Sequence, residues 1–412
     1  MHYQDSKEQA LFRQKAQIFL KENAKALSRE KDRFKGGLFL QKNKFEKGFA
    51  CLSWPKEFGG QAAPKSYDAI FEEEQAKFPD LFDAVGIGVQ VCAPTLMKYL
   101  DKEKSARYLP KIASGEEIWC QLFSEPSAGS DLAGLSTKAV KEGKKWVISG
   151  QKTWTSIAHK ADFGLLLART DSSLPKHQGL TAFILDMRAE GVKVLPIKQM
   201  TGDEHFNQVY LDKVVVDDAN RLGEIGQGWQ VALTTLKTER GYLGNQGSIK
   251  TCDCKETLRL AKETPYKDQR AIDYGGFRER LADLYVKEAG LKLTKERFRV
   301  AFKKDEEPSL ENSVCKYVKG DLANEAASLG MDILGTAGLS FDPKLVPDNG
   351  YIQMSYLRSL GAKIAGGTDE IQLNILAERV LHMPKDIRID KDIPFKNIPK
   401  GPQKNDAHMI GE

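Results

Sequence analysis

The sequence predicts an α+β protein of several domains, in which helices precede a compact β unit and further helices follow it. Residues 5 to about 118 repeat apolar side chains at helical spacing, as in EQALFRQKAQIFLKENAKAL. From Trp119 to about 225 the chain changes to short β-rich runs separated by glycine-containing turns. From Gly226 to about Met383 helical spacing returns. A chain of 412 residues is long enough for two or three such domains.

These changes in pattern divide the chain into four expected segments. They are an N-terminal helical domain at 1–118, a central β domain at 119–225, a C-terminal helical bundle at 226–385 and an extended tail at 386–412. The tail is rich in Pro, Lys and Asp. The expected strands of the β domain are KKWVISGQKTW, FGLLLART, GLTAFILDM, VKVLPI and NQVYLDKVVV.

Composition narrows the class of ligand. The net charge of +5 is a small difference between 62 basic and 57 acidic residues, and aromatic residues do not alternate with basic runs. This balance favours an anionic small molecule over nucleic acid. The longest apolar run is about the length of FGLLLA, which is too short to span a bilayer. The N-terminus lacks the apolar core of a signal peptide. We therefore expect a cytoplasmic protein without a stable membrane anchor.

Cysteine and glycine motifs exclude two kinds of site. Six scattered cysteines suggest a reducing compartment, and CDC at 252–254 has no second pair or nearby His at metal-ligand spacing. We expect structural cysteines and no metal. GIGVQV at 86–91 has only the first two glycines of a dinucleotide fingerprint and follows no convincing strand, and no phosphate-loop GK[ST] occurs. A Rossmann cofactor site is therefore not expected.

Three segments could carry chemistry. WCQLFSEPSAGSDLAGLSTKA at 119–139 predicts a strand that runs into a small-residue loop, and GQKTWTSIAHKAD at 150–162 places hydroxyls beside a Trp. These residues fit a polar ligand site, but they also fit a β-domain loop with a core Trp. AGGTDEIQLNILAERVL at 365–381 predicts a helix with Thr368 as N-cap. Its two preceding glycines fit either a phosphate or carbonyl site or an ordinary tight turn.

The motifs SEPSAGSD, GQKTWTS and GGTDEIQLNILAERVL, in this order and spacing, resemble the acyl-CoA dehydrogenase family over residues 5 to 383. The resemblance implies a helical N-terminal domain, a central β-barrel-like domain and a C-terminal four-helix bundle. It implies FAD between the β domain and the bundle, with an acyl-CoA thioester beside the flavin ring. It also implies that electrons pass to an electron-transfer flavoprotein, as in fatty-acyl β-oxidation.

The family's binding residues can be carried over where this sequence matches its motifs. The resemblance implies contacts to the flavin ring from the strand and loop residues and to the FAD diphosphate from the helix start. The implied cofactor residues are Leu122, Ser124, Gly129, Ser130, Trp154, Thr155, Ser156, Thr368 and Glu370. The implied substrate residues are Ser130, Arg240 and Gly366.

The position of the catalytic base departs from the commoner pattern. Many family members carry a Glu directly before the Gly-Thr pair, where this chain has Gly366. Another branch holds the base in a Glu-Arg pair on a bundle helix, and this chain reads ALTTLKTERGYLGNQG. Ala232, Leu236 and Leu243 share a helical face with Glu239, and no Lys or Arg lies three or four residues away. We therefore expect Glu239 to be the base, with Asp369 as the second candidate.

A further departure concerns assembly. The family usually has an Arg-x-x-Phe-Gly-Lys segment whose arginine reaches the FAD of a neighbouring subunit. The equivalent region here is TPYKDQRAIDYGGFRERLADLYVKEAG, in which Arg270 is at best a remnant. A subgroup with this feature forms heterotetramers with a related subunit, so a homo-oligomer or a heterotetramer is expected. The function that the resemblance implies is that of an acyl-CoA dehydrogenase. The alternatives to this function are a weakly catalytic or non-catalytic FAD-binding partner subunit and an acyl-CoA oxidase.

Overall fold

The computed structural model describes residues 5–78, 81–245, 251–302, 312–385, 387 and 390–399. These residues form two compact units. The first holds the described residues of Met1–Ile197, Glu204–Thr235 and Asp386–Glu412, and the second those of Lys198–Asp203 and Leu236–Lys385. The predicted succession of helices, sheet and helices is confirmed.

The first unit begins with five helices, of which the first three contribute to a core that includes Phe19 and Phe71. Side-chain caps start several of them: Ser6 and Gln9 form a reciprocal capping box on the first helix, and Asp101 accepts from the Lys104 N–H on the fifth. GIGVQV forms no strand, since Ile87–Cys92 is a π-helical stretch that leads into the fourth helix. The helices are α1 Lys7–Leu27, α2 Arg33–Glu46, α3 Lys65–Gln75, α4 Ala93–Tyr99 and α5 Lys102–Ser114.

An eight-stranded sheet follows in the same unit. Its main path runs β6-β7-β3-β2-β4-β5-β8, and β1 pairs in parallel with β4 beside that path. All five expected strand runs form strands, because their inward positions alternate with exposed ones or are buried on both faces. The strands are β1 Trp119–Leu122, β2 Lys138–Glu142, β3 Lys145–Ser156, β4 Phe163–Arg169, β5 Leu180–Asp186, β6 Val192–Ile197, β7 Phe206–Asp217 and β8 Arg221–Leu222.

The remaining helices carry the second set of site residues. A small hairpin of β9 Pro265–Tyr266 and β10 Gln269–Arg270 separates two of them. In the second unit, α7 to α10 contribute to one hydrophobic core that includes Leu260, Leu284 and Ala326. The helices are α6 Gly228–Asn245, α7 Cys254–Glu263, α8 Gly275–Phe302, α9 Asn312–Leu334, α10 Tyr351–Ala362 and α11 Asp369–Ile375.

The C-terminal tail differs from the extended segment that the sequence predicts. Residues 390–399 belong to the first unit, and Phe395–Asn397 forms a 3₁₀ turn whose Phe395 side chain is buried. The difference arises because the apolar Phe395 ring packs against the β domain, and the Pro, Lys and Asp content of the tail does not predict such a contact. Residues 400–412 lie outside the described part of the chain.

Among the described residues, no helix is both long and apolar enough to cross a bilayer. No group of three or more His, Cys, Asp or Glu side chains in the same residues could hold a metal ion. All six cysteines lie in the described residues, none of them forms a disulfide, and all but Cys51 are buried.

The sheet core should be sensitive to loss of volume at its centre. Leu166 of β4 is fully buried and stands opposite Leu122 of β1 and Phe183 of β5. We expect Leu166→Ala to lower the free energy of unfolding by about 2–5 kcal/mol, because the substitution leaves a cavity. Equilibrium denaturation of the full chain measures the loss. Val215→Ala on the exposed face of β7 is the control and should change stability little; equal losses in the two variants would contradict this account.

Candidate functional site

The loop after β1 is held by a buried carboxylate. Glu125, in the SEPSAGSD motif, accepts from the Ser136 N–H at 2.7 Å, the Ser136 hydroxyl at 2.9 Å and the Thr137 N–H at 2.8 Å. Lys152 of β3 donates to the same carboxylate at 2.9 Å and to the Phe123 carbonyl at 3.0 Å. The two ends of loop 123–137 are thereby fastened to one side chain and to one strand.

The Lys152–Glu125 pair is shielded from water. The Lys152 side chain has 0 % exposure and that of Glu125 4 %. Burial opposes the charge of Glu125, but Lys152 and the donors of residues 136 and 137 outweigh it and lower the pKa of Glu125 to about 2. Burial also lowers the pKa of Lys152 to about 8, against the attraction of Glu125. The carboxylate is therefore a fixed anion that orders the loop.

The loop presents its small residues to solvent. Gly129 and Ser130 are exposed, Ser124 is half-buried, and a Cβ built on Gly129 would meet no atom within 4 Å. Leu122, at the end of β1, is instead fully buried. The open space beside these small residues leaves room for a ligand to approach the backbone. Loop 123–137 can therefore offer hydroxyl and backbone groups, whereas the Leu122 side chain belongs to the core.

A bulge in β3 exposes an aromatic wall, which is the ring of Trp154. Lys152 pairs with Val209 and Thr155 with Asn207, so Thr153 and Trp154 together oppose a single residue of β7. Trp154 has φ +57° and is 57 % exposed, with its ring edge-on to Phe206 at 5.7 Å between centroids. An aromatic residue with positive φ is rare, and such strain is concentrated at functional sites.

The same bulge connects the aromatic wall to loop 123–137. The Thr153 N–H donates to the Ser124 carbonyl at 2.9 Å, beside the Lys152–Glu125 pair. Ser156 is half-buried, but the Thr155 side chain is buried, and within the described residues its Oγ1 has no hydrogen-bond partner. Strand alternation therefore turns Thr155 away from the face that Trp154 and Ser156 occupy.

In the second unit, α6 carries the expected base. Glu239 and Arg240 are both half-buried on this helix, and the side chain of Leu243 lies outside the described residues. Burial lowers the pKa of Arg240; Glu239 opposes the change and Arg379 adds to it. Arg379 belongs to a π-helical turn, Leu376–Val380, that continues α11. The sequence analysis did not single out Arg379, since its proximity to Arg240 depends on how the helices pack.

The two glycines before α11 form a left-handed turn. Gly366 has φ +69° and Gly367 has φ +92°. The side-chain amide of Gln372 donates to the Gly366 carbonyl at 3.0 Å, and Thr368 caps the helix by accepting from the Ile371 N–H at 3.3 Å. No atom of the described residues accepts a hydrogen bond from the Gly366 N–H. The turn thus presents a backbone donor at a position with no side chain.

The acidic residues of α11 have different surroundings. Asp369 is buried and forms ion pairs with Lys316 at 3.1 Å and Lys363 at 2.8 Å. Glu370 is exposed, and its own backbone N–H and the Thr368 side chain lower the pKa of its carboxyl group. Asp369 is therefore held by two cations at the helix start, which suits a structural role better than proton abstraction.

Family models match most of the chain. The acyl-CoA dehydrogenase N-terminal, middle and C-terminal domains match residues 6–116, 120–214 and 226–381. The chain belongs to the acyl-CoA dehydrogenase family. As a member, it is an oxidoreductase that acts on a CH–CH bond, and FAD is its cofactor.

The chain is similar to several curated acyl-CoA dehydrogenases and to solved structures of the same family. The chain is 36 % identical over 356 residues to acyl-CoA dehydrogenase IpdE1 of Mycolicibacterium smegmatis, which covers 83 % of this chain and 86 % of that protein. Among solved structures, the ChsE4-ChsE5 complex from Mycobacterium tuberculosis matches with a TM-score of 0.79 and 29 % identity, over 94 % of this chain and 100 % of the other. The Tcur3481-Tcur3483 steroid ACAD matches with a TM-score of 0.79 and 26 % identity, over the same shares of the two chains.

The described residues of the first unit fit part of a flavin nucleotide. This unit brings together the open loop at Gly129 and Ser130, the hydroxyl of Ser124 and the exposed Trp154. Taken by itself, the second unit holds the glycine turn, the Thr368 cap and Glu370. The residues that the sequence analysis missed are the ones that hold these groups, chiefly Glu125, Lys152 and Gln372. The available signal for Lys152 was its position an even number of residues after Trp146 and Ile148, the buried apolar side chains of the same strand.

Loss of the buried anion should destabilise the central domain. Glu125→Gln removes the counter-ion of Lys152 in the interior, so we expect about 3–5 kcal/mol less stability and weaker retention of FAD. Thermal unfolding and the ratio of flavin to protein absorbance measure the two effects. Glu190→Gln, at an exposed position of the same domain, is the control.

A second variant distinguishes the effect of a buried unpaired charge from the effect of altered side-chain packing. Replacing both partners, as Glu125→Leu with Lys152→Met, removes the unpaired cation and should recover part of the stability lost in Glu125→Gln. A Glu125→Gln protein as stable as the parent would show that the pair is dispensable.

Proposed function

We propose that this chain catalyses the α,β-dehydrogenation of an acyl-CoA thioester to the 2-enoyl-CoA, with Glu239 as the base. In this reaction the α carbon loses a proton to the Glu239 carboxylate, the β carbon loses a hydride, and a carbon–carbon double bond forms. Bound FAD supplies the acceptor for the hydride. The observation that carries the proposal is a half-buried glutamate on α6 in a chain that has Gly366 at the family's commoner base position.

Three features support Glu239 over the other acidic candidates. Asp369 is already engaged by Lys316 and Lys363. Glu370 is exposed in the first turn of α11. Glu239 stands beside Arg240 on a helix whose buried positions include Ala232 and Thr235. Because Asp369 is held by two lysines and Glu370 is exposed to water, Glu239 is the proposed base.

The Gly366 N–H is proposed to donate to the thioester carbonyl oxygen. Negative charge develops on that oxygen as the α proton leaves, and an oriented backbone donor lowers the free energy of this state. The Gln372 side chain holds the turn through the Gly366 carbonyl, so the donor keeps its direction. The absence of a side chain at Gly366 also avoids a second carboxylate, which would compete with Glu239 for ionisation.

The other site residues are proposed to bind and orient. Trp154 and Ser156 would flank the flavin ring, Ser124 would hydrogen-bond to it, and Thr368 would contact the FAD diphosphate. Arg240 would approach the CoA moiety. An electron-transfer flavoprotein is the proposed electron acceptor. Because one structural relative is a steroid ACAD, a screen of thioesters should include steroid side-chain substrates beside straight-chain ones.

Glu239→Gln tests the assignment of the base. The amide keeps the volume of the side chain but cannot take the proton, so we expect flavin reduction in a single turnover to slow by about 10²- to 10⁴-fold. Affinity for FAD and for the thioester should change little, because the lost interaction belongs to the transition state. Glu279→Gln, on an exposed position of α8, is the matched control.

The outcomes discriminate among the alternatives. Flavin reduction at the parent's rate in Glu239→Gln would refute the assignment and make Asp369 the next residue to test. A parent protein that binds FAD, but whose flavin none of the thioesters in the screen reduces, would favour a non-catalytic partner subunit. Rapid reoxidation by oxygen would favour an oxidase.

A heteromeric assembly is the second part of the proposal. Arg270, the remnant of the family's intersubunit arginine segment, lies exposed on β10 and pairs with Asp273 at 2.8 Å. Helix α8 exposes Tyr285, Val286 and Leu293, each by more than 60 %. Large exposed apolar side chains on one helix are typical of an interaction surface. A related second subunit that supplies the missing FAD contact agrees with the ChsE4-ChsE5 complex among the relatives.

The stoichiometry of FAD tests this assembly. The chain purified alone should carry less than one FAD per chain or be poorly soluble, since each site lacks the arginine of a neighbour. Co-expression with a related subunit should raise occupancy. Light scattering with flavin absorbance measures mass and occupancy together, and a fully active homotetramer with one FAD per chain would contradict the prediction.

A further inference from the structure

The C-terminal segment, residues 390–398, returns to the central β domain. The Phe395 N–H donates to the Leu174 carbonyl at 2.9 Å, and the Lys396 N–H to the Ser172 carbonyl at 3.0 Å. Pro394 forms a β-bridge with Pro175. These contacts lie within the first unit, although the family model for the C-terminal domain ends at residue 381. The segment is thus bound through its backbone to the loop between β4 and β5.

The Phe395 ring covers a buried arginine. Arg169, at the end of β4, is 4 % exposed, and its Cζ lies 3.5 Å from the ring centroid of Phe395. Its guanidinium donates to the carbonyls of Leu135 at 3.0 Å, Ala133 at 2.6 Å and Lys176 at 3.2 Å. A guanidinium buried against backbone carbonyls keeps its charge with the help of an aromatic face. Phe395 therefore stabilises the cation that holds residues 133 and 135.

A second contact joins the segment to loop 123–137. Lys176 is buried, and its Nζ lies 2.9 Å from Oδ2 of Asp131 and 2.5 Å from Oδ2 of Asp390. Burial opposes its charge, but hydrogen bonds to Asp390 and Asp131 raise the pKa of Lys176. Asp131 directly follows Ser130, an exposed residue implied in FAD binding. The lysine thus ties the end of SEPSAGSD to the C-terminal segment.

We propose that residues 390–398 position loop 123–137 for FAD, with Phe395 and Asp390 as positioning residues. Glu125 attaches loop 123–137 to β3. Arg169, at the end of β4, holds residues 133 and 135 of the same loop, and Lys176, in the segment after β4, holds Asp131. The C-terminal segment completes the second attachment by covering Arg169 and neutralising Lys176. This inference rests on the proposed role of the loop in FAD binding, and it adds a part of the chain that the family models do not include.

Phe395→Ala in the full-length protein tests the proposal. Removal of the ring should raise the Kd for FAD about tenfold in titrations of the apoprotein, because the loop then loses order. Hydrogen exchange at the amides of residues 134 and 135 should quicken in the apoprotein. Asp390→Asn should give a smaller change in the same direction. Phe395→Tyr keeps an aromatic face on Arg169 and should restore both values to near those of the parent.

Lys396→Ala is the matched control. Its side chain is exposed, and the backbone bond to Ser172 remains, so both readouts should match the parent. Unchanged FAD affinity and exchange in Phe395→Ala would overturn the proposal. If the parent bound no FAD, both the proposed function and the cofactor part of this inference would fail. Hydrogen exchange in the apoprotein would still decide whether the segment orders the loop.

Discussion

The buried ion pair between Lys152 and Glu125 is the constraint on which the candidate site depends. In the interior of the β domain an unpaired charge is costly, so each partner requires the other to be in place. Lys152 fixes the strand that carries the bulge, and Glu125 fixes the loop that follows β1. The neighbouring Thr153–Ser124 backbone bond joins the two elements directly. The exposed Trp154 and the open loop at Gly129 therefore owe their arrangement to a pair that is itself buried in the β domain.

In the second unit, the acidic residues Asp369 and Glu239 have different surroundings. Asp369 is buried between two lysines and secures the start of α11, whereas Glu239 lies on α6 beside Arg240. The left-handed turn at Gly366 is held by Gln372, which leaves a backbone donor where the commoner family pattern has a glutamate. A carboxylate that two cations hold in the interior stabilises structure, which leaves Glu239 as the proposed base.

Backbone carbonyls, rather than carboxylates, receive the buried guanidinium of Arg169. Such an arrangement keeps a charge in the interior without a counter-ion in hydrogen-bond contact, and the face of Phe395 compensates part of the lost hydration. The residue that completes the β domain therefore lies more than two hundred positions further along the chain.

The sequence by itself determined the order of helices, sheet and helices, the five main strands and the cap at Thr368, because periodic burial and capping are local properties. It also located SEPSAGSD and Glu239 through resemblance to a family. The tertiary structure decided the pairing of Lys152 with Glu125, the inward direction of Thr155, the partners of Asp369 and the return of Phe395 to the β domain. Each of these depends on strand register or on contacts between distant residues, and the hydrophobic pattern of a short segment carries no record of which distant group will meet it.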